Sequence, residues 1–443
     1  MHRVAVVGSG PAGVYATEAL VARDDIEVDV YDRLPTPFGL VRYGVAPDHL
    51  KIKSIETTLR RILESPRVRF LGNVDIGRDV TPADLRMWYD AVVYAVGAAT
   101  DRRLDIPGED LRGSVSATDF VAWYCGHPDA AIREWTLNGR EVVVIGVGNV
   151  AVDVARILAK TAEDLHHTDV PRRVLDVLAA SHVTDISMVG RRGAAYAKFT
   201  TKELRELGEL TNADVVVDAG ELALDDDAQK RYDSDASVRR NVDVLREWST
   251  RPLAGRPRRI HLRFLLRPHQ LIGERHVSGV VFERTAASGG GHVRGTGEMV
   301  ELPAQLVLRS VGYRGVPVAG LPFDDNTGTI GNDEGRVLRN NRPSEGEYVC
   351  GWIKRGPTGV IGTNRHDANE TVKALLHDFD ERPAPSGDLR LDPADVLRER
   401  GVDVIAWDGW LAIEQAEIDL GAAQGRAREK LADRDDLLAA ARH

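Results

Sequence analysis

Two stretches of the chain share one pattern of hydrophobic and polar positions. In residues 3–22, and again in 140–160, a charged residue precedes a run of β-branched apolar residues, then a glycine-rich turn, then apolar positions at helical period. In the second copy Val150, Val154, Ile157 and Leu158 fall at i, i+4, i+7 and i+8, which predicts one buried helix face. Each copy has a later echo, AVVYAVG at 91–97 and QLVLRSVG at 305–312, both reading as buried strands that end in glycine. Duplicated strand–turn–helix units predict an α/β fold with two Rossmann-like, doubly wound dinucleotide-binding domains.

Between the copies, residues 98–118 are polar, with Pro107 and several glycines, and read as a crossing between domains; 313–328 reads as the crossing back. Residues 260–284 read as strands and 286–298 (AASGGGHVRGTGE) as a flexible hairpin tip. RPAPSG at 382–387 is a breaker ahead of a charged, mostly helical tail. No short-period repeat occurs, which excludes solenoids and propellers.

Composition narrows the picture. A chain of 443 residues with 43% hydrophobic and 28% charged residues is ordinary globular material, sufficient for two to four domains. No apolar run is long enough for a membrane span, and RVAVVG begins at residue 3 without a cleavable leader, so we expect a cytoplasmic protein. The only cysteines are Cys125 and Cys350, with no CxxC pair. A redox disulfide, a cysteine-ligated iron–sulfur cluster and a zinc site are therefore not expected within this chain. The net charge of −10 argues against nucleic-acid binding while leaving room for local basic patches.

The first turn, VAVVGSGPAG, places Gly8, Gly10 and Gly13 between a strand and a helix expected near 12–23. Gly8 would make the tight turn, Gly10 admit a pyrophosphate, and Gly13 let helix and strand pack closely. EVDVYD ends at Asp32, 19 residues beyond Gly13, where an acid binds ribose hydroxyls. The motif alone does not separate FAD from NAD. The second turn has Gly146, Gly148 and then Ala151 in place of a third glycine, a substitution suited to NADP. The strand DISMVGRR ends in Arg191 and Arg192 rather than an acid, and two guanidiniums suit a 2′-phosphate. They lie 40 residues beyond Ala151, so a helical insertion near 161–182 is expected. Either the pair binds the phosphate or it is a solvated surface charge.

Residues 349–376 read as strand, loop and helix, with Trp352 as an aromatic plate and a helix starting near 362–367. That helix N-terminus could stabilise negative charge on a reduced flavin; the alternative is a packed loop around a core tryptophan. Three basic clusters are candidates for partner docking: Lys198, Lys202 and Arg205, at i, i+4 and i+7 and so on one face if the segment is helical; Lys51, Lys53, Arg60 and Arg61; and Lys354 with Arg355. Each could equally be a solvated helix face.

Longer runs carry a family resemblance: VVGSGPAGVYA, PTPFGLVRYGVAPDH (35–49), GNVDIGRDVT (72–81), IPGE (106–109), IGVGNVAVDVARIL, VGRRG (189–193), FTTKELREL (199–207) and GWIKRGPTGVIGT (351–363). They cover almost the whole chain in order, and the chain resembles adrenodoxin reductase and the bacterial ferredoxin–NADP reductases of that type. The resemblance implies a glutathione-reductase-like flavoprotein. Residues 1–104 and 313–443 would form the FAD domain, and 105–312 an inserted NADP domain. It implies an FAD-dependent NADPH:ferredoxin oxidoreductase that takes hydride at flavin N5 and passes single electrons to a ferredoxin, adrenodoxin-like protein or flavodoxin. It implies FAD contacts at Ala12, Asp32, Leu40, Val80, Trp352 and Gly359, Val360 and Ile361. NADP contacts would fall at Gly148, Asn149, Val150, Ala151, Arg191, Arg192, Glu203 and Gly359. Asp32 departs from the family's more usual glutamate but keeps the acceptor role. His49 would lie near the flavin, either moving protons or ordering its loop, and Glu203 would position the nicotinamide carboxamide. We expect a monomer that holds no metal and inserts into no membrane. The alternatives are an electron-input subunit like that of glutamate synthase, an NADPH diaphorase with another acceptor, a flavin monooxygenase, and a non-enzymatic nucleotide sensor.

Overall fold

The computed structural model describes residues 1–130, 134–381 and 391–442, so the breaker at 382–387 lies outside the described residues. The chain forms two compact units. One comprises Met1–Thr100, Cys125–Ala131 and Tyr313–His443; the other comprises Asp101–Tyr124 and Ile132–Gly312. The divisions fall at 100/101 and 312/313, and a short piece from inside the insertion belongs with the first unit.

The first unit is built on a seven-stranded sheet. Its order is Asn332–Asp333, Arg336–Arg339, Arg342–Val349, Ala91–Tyr94, His2–Val7, Ile26–Tyr31 and Val68–Leu71. The last five strands run parallel, and the first two are antiparallel additions. Alternate residues of the strand His2–Val7 enter different cores. Val4 and Val6 pack with Val14, Leu20 and Val372 on one face, whereas Ala5 and Val7 pack with Tyr31, Val92 and Tyr94 on the other. A strand covered on both faces needs no polar alternation, which is why it reads as an unbroken apolar run. The C-terminal tail helices, Trp407–Ala422 and Arg434–Ala440, contribute Trp410, Ile413 and Leu437 to the first of these cores.

The second unit holds six parallel strands in the order Ser114–Ser116, Leu306–Arg309, Glu141–Ile145, Asp185–Val189, Arg258–Arg263 and Ala213–Val217. Two short helices, Ala162–Leu165 and Arg172–Ala179, fill the long spacing before Arg191. An antiparallel sheet of Leu266–Ile272, Gly279–Gly289 and His292–Pro303 belongs to the same unit. Here the expectation of a flexible tip at 286–298 is corrected. Most of it is paired strand, with Ala286 opposite Arg294 and Ala287 opposite Val293, and only Gly290 and Gly291 form the turn. A Cβ on Gly295 would lie 1.9 Å from a Glu283 carboxylate oxygen, so this glycine admits a neighbouring side chain rather than loosening the strand. Among the described residues no helix is long and apolar enough to cross a membrane.

In the first unit the Glu347 side chain is fully buried. It accepts from Arg339 Nε at 2.6 Å and Nη2 at 2.9 Å, from Ser344 Oγ at 2.6 Å, and from Arg86 at 3.2 Å. Burial opposes its charge, but these donors win and hold the carboxyl below its ordinary value. A depressed carboxyl pKa contributes stability above the unfolded pKa, near 4.5, that is lost as pH falls through the folded value. Glu347→Gln should therefore cost about 3 kcal/mol at pH 7 and less as pH falls below about 4.5. Urea unfolding at both pH values checks this; an equal penalty at each would remove the ionic role.

Candidate functional site

In each sheet the glycine turn follows an interior strand, beside the point where strand order reverses. His2–Val7 lies between Ala91–Tyr94 and Ile26–Tyr31, and Glu141–Ile145 lies between Leu306–Arg309 and Asp185–Val189. The crevice at such a switch point is where open α/β sheets bind ligands.

In the first unit Gly8 has φ +111°, and a Cβ there would lie 2.5 Å from the Ala95 carbonyl oxygen. A Cβ on Gly13 would lie 1.9 Å from the Gly8 carbonyl oxygen, so the helix Pro11–Val21 starts hard against the turn. Gly10 begins that helix without a side-chain cap, leaving first-turn amides available to an anion. Asp32 accepts from Ser9 N at 2.9 Å, Ser9 Oγ at 2.5 Å and Leu34 N at 2.9 Å, which fixes the carboxylate beside the turn.

The 35–49 stretch has a backbone reason for its sequence. Phe38 (φ +80°) donates its N–H to Ser9 O at 3.1 Å, and a Cβ on Gly39 (φ +49°) would lie 3.0 Å from Gly10 Cα. Two consecutive left-handed residues thus press the chain onto the glycine turn and start the short helix Leu40–Tyr43. His49 is buried and begins the next short helix, Leu50–Lys53. The Val80 side chain is fully buried, so only its main chain can meet a ligand.

The return segment reaches the same turn within this unit. A Cβ on Gly351 (φ +77°) would lie 2.6 Å from Ala12 Cβ, and the Cys350 thiol donates to Ala12 O at 3.7 Å. Asp367 accepts from Gly351 N at 2.5 Å and pairs with Lys354 at 2.9 Å. Trp352 lies 5.2 Å from the Tyr313 ring and has a buried Nε1 with no hydrogen-bond partner. Gly359 (φ +83°), Val360 and Gly362 are exposed at the start of the helix Ile361–Asp380, and Ile361 is half-buried against the core. A steric cradle, a fixed acid, an orphan indole N–H and an exposed helix start fit a dinucleotide.

In the second unit a Cβ on Gly146 (φ +144°) would lie 2.2 Å from Ser310 O, whereas one on Gly148 would meet nothing. Gly148 begins the helix Asn149–Ala159 without a side-chain cap. Ala151 is fully buried, and Val150 is partly exposed. Asn149 Oδ1 accepts from Thr200 N at 2.8 Å and so ties this helix to the start of Thr201–Gly208, which carries Glu203. Glu203 is nine-tenths buried, and its Oε2 has no partner. Arg191 is exposed and Arg192 half-buried, and neither pairs with a carboxylate among the described residues.

The basic clusters are corrected. The Thr200 side chain caps the helix, which begins at Thr201, so Lys198 precedes it and shares no helix face with Lys202 and Arg205. Lys53 is buried, and Arg60 pairs with Glu64 and Glu414, leaving Lys51 and Arg61 exposed. Lys354 is tied to Asp367, so the third cluster braces its own loop. Sequence reasoning passed over Asp367, Ser9 and the strained Phe38. The Phe-Gly pair offered a signal for the last; Asp367 had none, because its partner Gly351 is 16 residues away.

Two doubly wound units, each with a glycine turn at its switch point and one with an unpaired arginine pair, define a pyridine-nucleotide oxidoreductase fold. Residues 2–208 match the family described as pyridine nucleotide-disulphide oxidoreductase. Neither Cys125 nor Cys350 is in a disulfide, both are buried, and burial pushes the Cys350 thiol up. The chain is 46% identical to NADPH-ferredoxin reductase FprA of Mycobacterium tuberculosis over 459 residues, covering 99% of this chain and 98% of that one. It is 38% identical to the mitochondrial NADPH:adrenodoxin oxidoreductase of Arabidopsis thaliana, covering 99% and 95%. The solved structure of M. tuberculosis FprA in complex with NADPH matches with TM-score 0.94 at 45% identity, covering all of both chains. The chain belongs to the FprA-like NADPH-ferredoxin reductase and adrenodoxin reductase family.

Proposed function

We propose that the protein is an FAD-dependent NADPH:ferredoxin oxidoreductase, with FAD in the first unit and NADP(H) in the second. The carrying observation is the pair of uncompensated guanidiniums, Arg191 and Arg192, at the strand end after the second glycine turn. Full-length similarity to the mycobacterial reductases supports the same reading. A flavin held by Asp32 and the Pro11–Val21 helix start would supply the hydride-accepting and one-electron-donating chemistry of this activity.

The chain's own residues bind and orient. Asp32 holds ribose hydroxyls, and the first-turn amides of Pro11–Val21 receive the pyrophosphate. The positive end of Ile361–Asp380 would stabilise negative charge on a reduced flavin. Glu203 offers its unpartnered oxygen to the carboxamide N–H of nicotinamide. Arg191 and Arg192 take the 2′-phosphate. His49 supplies a titratable imidazole for the proton exchange that follows hydride transfer.

Purified protein, freed of oxygen and titrated with NADPH and then NADH while the flavin band is followed, tests this. We expect NADPH to bleach the band at near-stoichiometric amounts and NADH to do so far less effectively. A missing band, or a band that NADPH leaves unchanged, would overturn the reading and favour a sensor.

A further inference from the structure

Within the second unit a third guanidinium converges on the arginine pair. Tyr196 lies in the turn Ala194–Tyr196, four residues beyond Arg192. The Arg192 guanidinium carbon sits over its ring at 5.3 Å from the centroid, and that of Arg231 at 5.0 Å. Arg231, on the helix Asp226–Ser234, also donates from Nε to Ala195 O at 3.3 Å and so holds the same turn.

Like charges crowd together here without a counterion. Neither Arg191, Arg192 nor Arg231 pairs with a carboxylate among the described residues. The acids nearby are otherwise engaged. Asp225 caps its helix by accepting from Asp227 N and Ala228 N, and Asp227 binds Lys230 and Gly290 N. Burial, and then Arg191 and Arg231, push the Arg192 guanidinium below its ordinary value. Two cations on one ring, with Arg191 close enough to act on Arg192 and none of the three holding a carboxylate, suit a polyvalent anion. Gly291 at the hairpin turn also borders the ring: a Cβ there would lie 3.0 Å from Tyr196 Cε1.

We propose that Arg231 is a specificity-determining positioning residue: through the Tyr196 ring it holds Arg192 where a 2′-phosphate binds, and selects 2′-phosphorylated nucleotides. This rests on the reading of Arg191 and Arg192 as the phosphate pair. A direct test titrates the flavin-loaded protein with 2′,5′-ADP and with 5′-ADP by calorimetry, comparing wild type with Arg231→Ala, Arg231→Lys, Tyr196→Leu and the double variant Arg231→Ala/Tyr196→Leu.

We expect Arg231→Ala to weaken 2′,5′-ADP about tenfold and leave 5′-ADP unchanged, with kcat at saturating NADPH also unchanged. Arg231→Lys should recover part of the loss, because it keeps the charge without the planar fork. Tyr196→Leu should match Arg231→Ala, and the double variant should be little worse than either. Equal losses for both nucleotides would make Arg231 a fold-supporting residue and overturn the proposal. So would additive losses, which would separate Arg231 from the ring. Wild-type protein with no preference for 2′,5′-ADP would instead overturn the NADP reading beneath it.

Discussion

Replacing Arg191 and Arg192 together with alanine should lower kcat/KM for NADPH by about 100- to 1000-fold and leave NADH nearly unchanged. The two nucleotides differ only in the 2′-phosphate. Each guanidinium–phosphate hydrogen bond contributes about 1.5–3 kcal/mol, and every ~1.4 kcal/mol is tenfold in binding. Neither side chain has a carboxylate to release, so their removal leaves no unpaired acid behind. The loss should appear in KM, since the phosphate is remote from the transferred hydride. Steady-state kinetics with both nucleotides measures it, and equal losses would remove the phosphate role from this pair.

Gly13→Ala should yield protein that retains little or no flavin. The added Cβ would sit 1.9 Å from the Gly8 carbonyl oxygen. Gly8 cannot retreat: its N–H is held by Tyr31 O at 2.7 Å, and a Cβ on Gly8 itself would already be 2.5 Å from Ala95 O. The helix Pro11–Val21 must withdraw instead, by roughly 1.5 Å to restore an ordinary contact. Strain of about 1–3 kcal/mol follows, and the first-turn amides leave the pyrophosphate. Ala151→Gly, at the equivalent place in the second turn, is the contrast. It removes a Cβ the fold already accommodates, costs about 1 kcal/mol of helix propensity, and should leave NADPH use intact. The ratio of flavin to protein absorbance after purification, with NADPH kinetics, tests the pair. Full flavin occupancy in Gly13→Ala would show that the close packing is dispensable.

These two turns were legible in the sequence because strand, glycine and helix fall within some twenty residues of each other. The apolar runs survive as buried strands, and Val154, Ile157 and Leu158 as a buried helix face, while Val150 at the head of that face stays partly exposed. What was hidden depends on distant partners. Nothing local marks Asp367 as the acceptor for Gly351, or Arg86, 261 residues away, as a donor to the buried Glu347. The hairpin at 286–298 misled because its glycines admit Glu283 and Tyr196 rather than signalling looseness. The basic clusters misled because counting charges does not reveal which ones Glu414 and Asp367 already neutralise.

The division of the chain also sets an order of assembly. Nearly all of the second unit is one continuous stretch, complete once Gly312 has been made, so it can close while synthesis continues. The first unit cannot. Its strand Ala91–Tyr94 pairs on one side with Arg342–Val349, and until those residues leave the ribosome that side of an entirely apolar strand stays open. About 250 residues of translation, at ~5–20 residues per second, separate the two partners. For that interval the nascent N-terminal sheet carries the unprotected edge that folded proteins avoid.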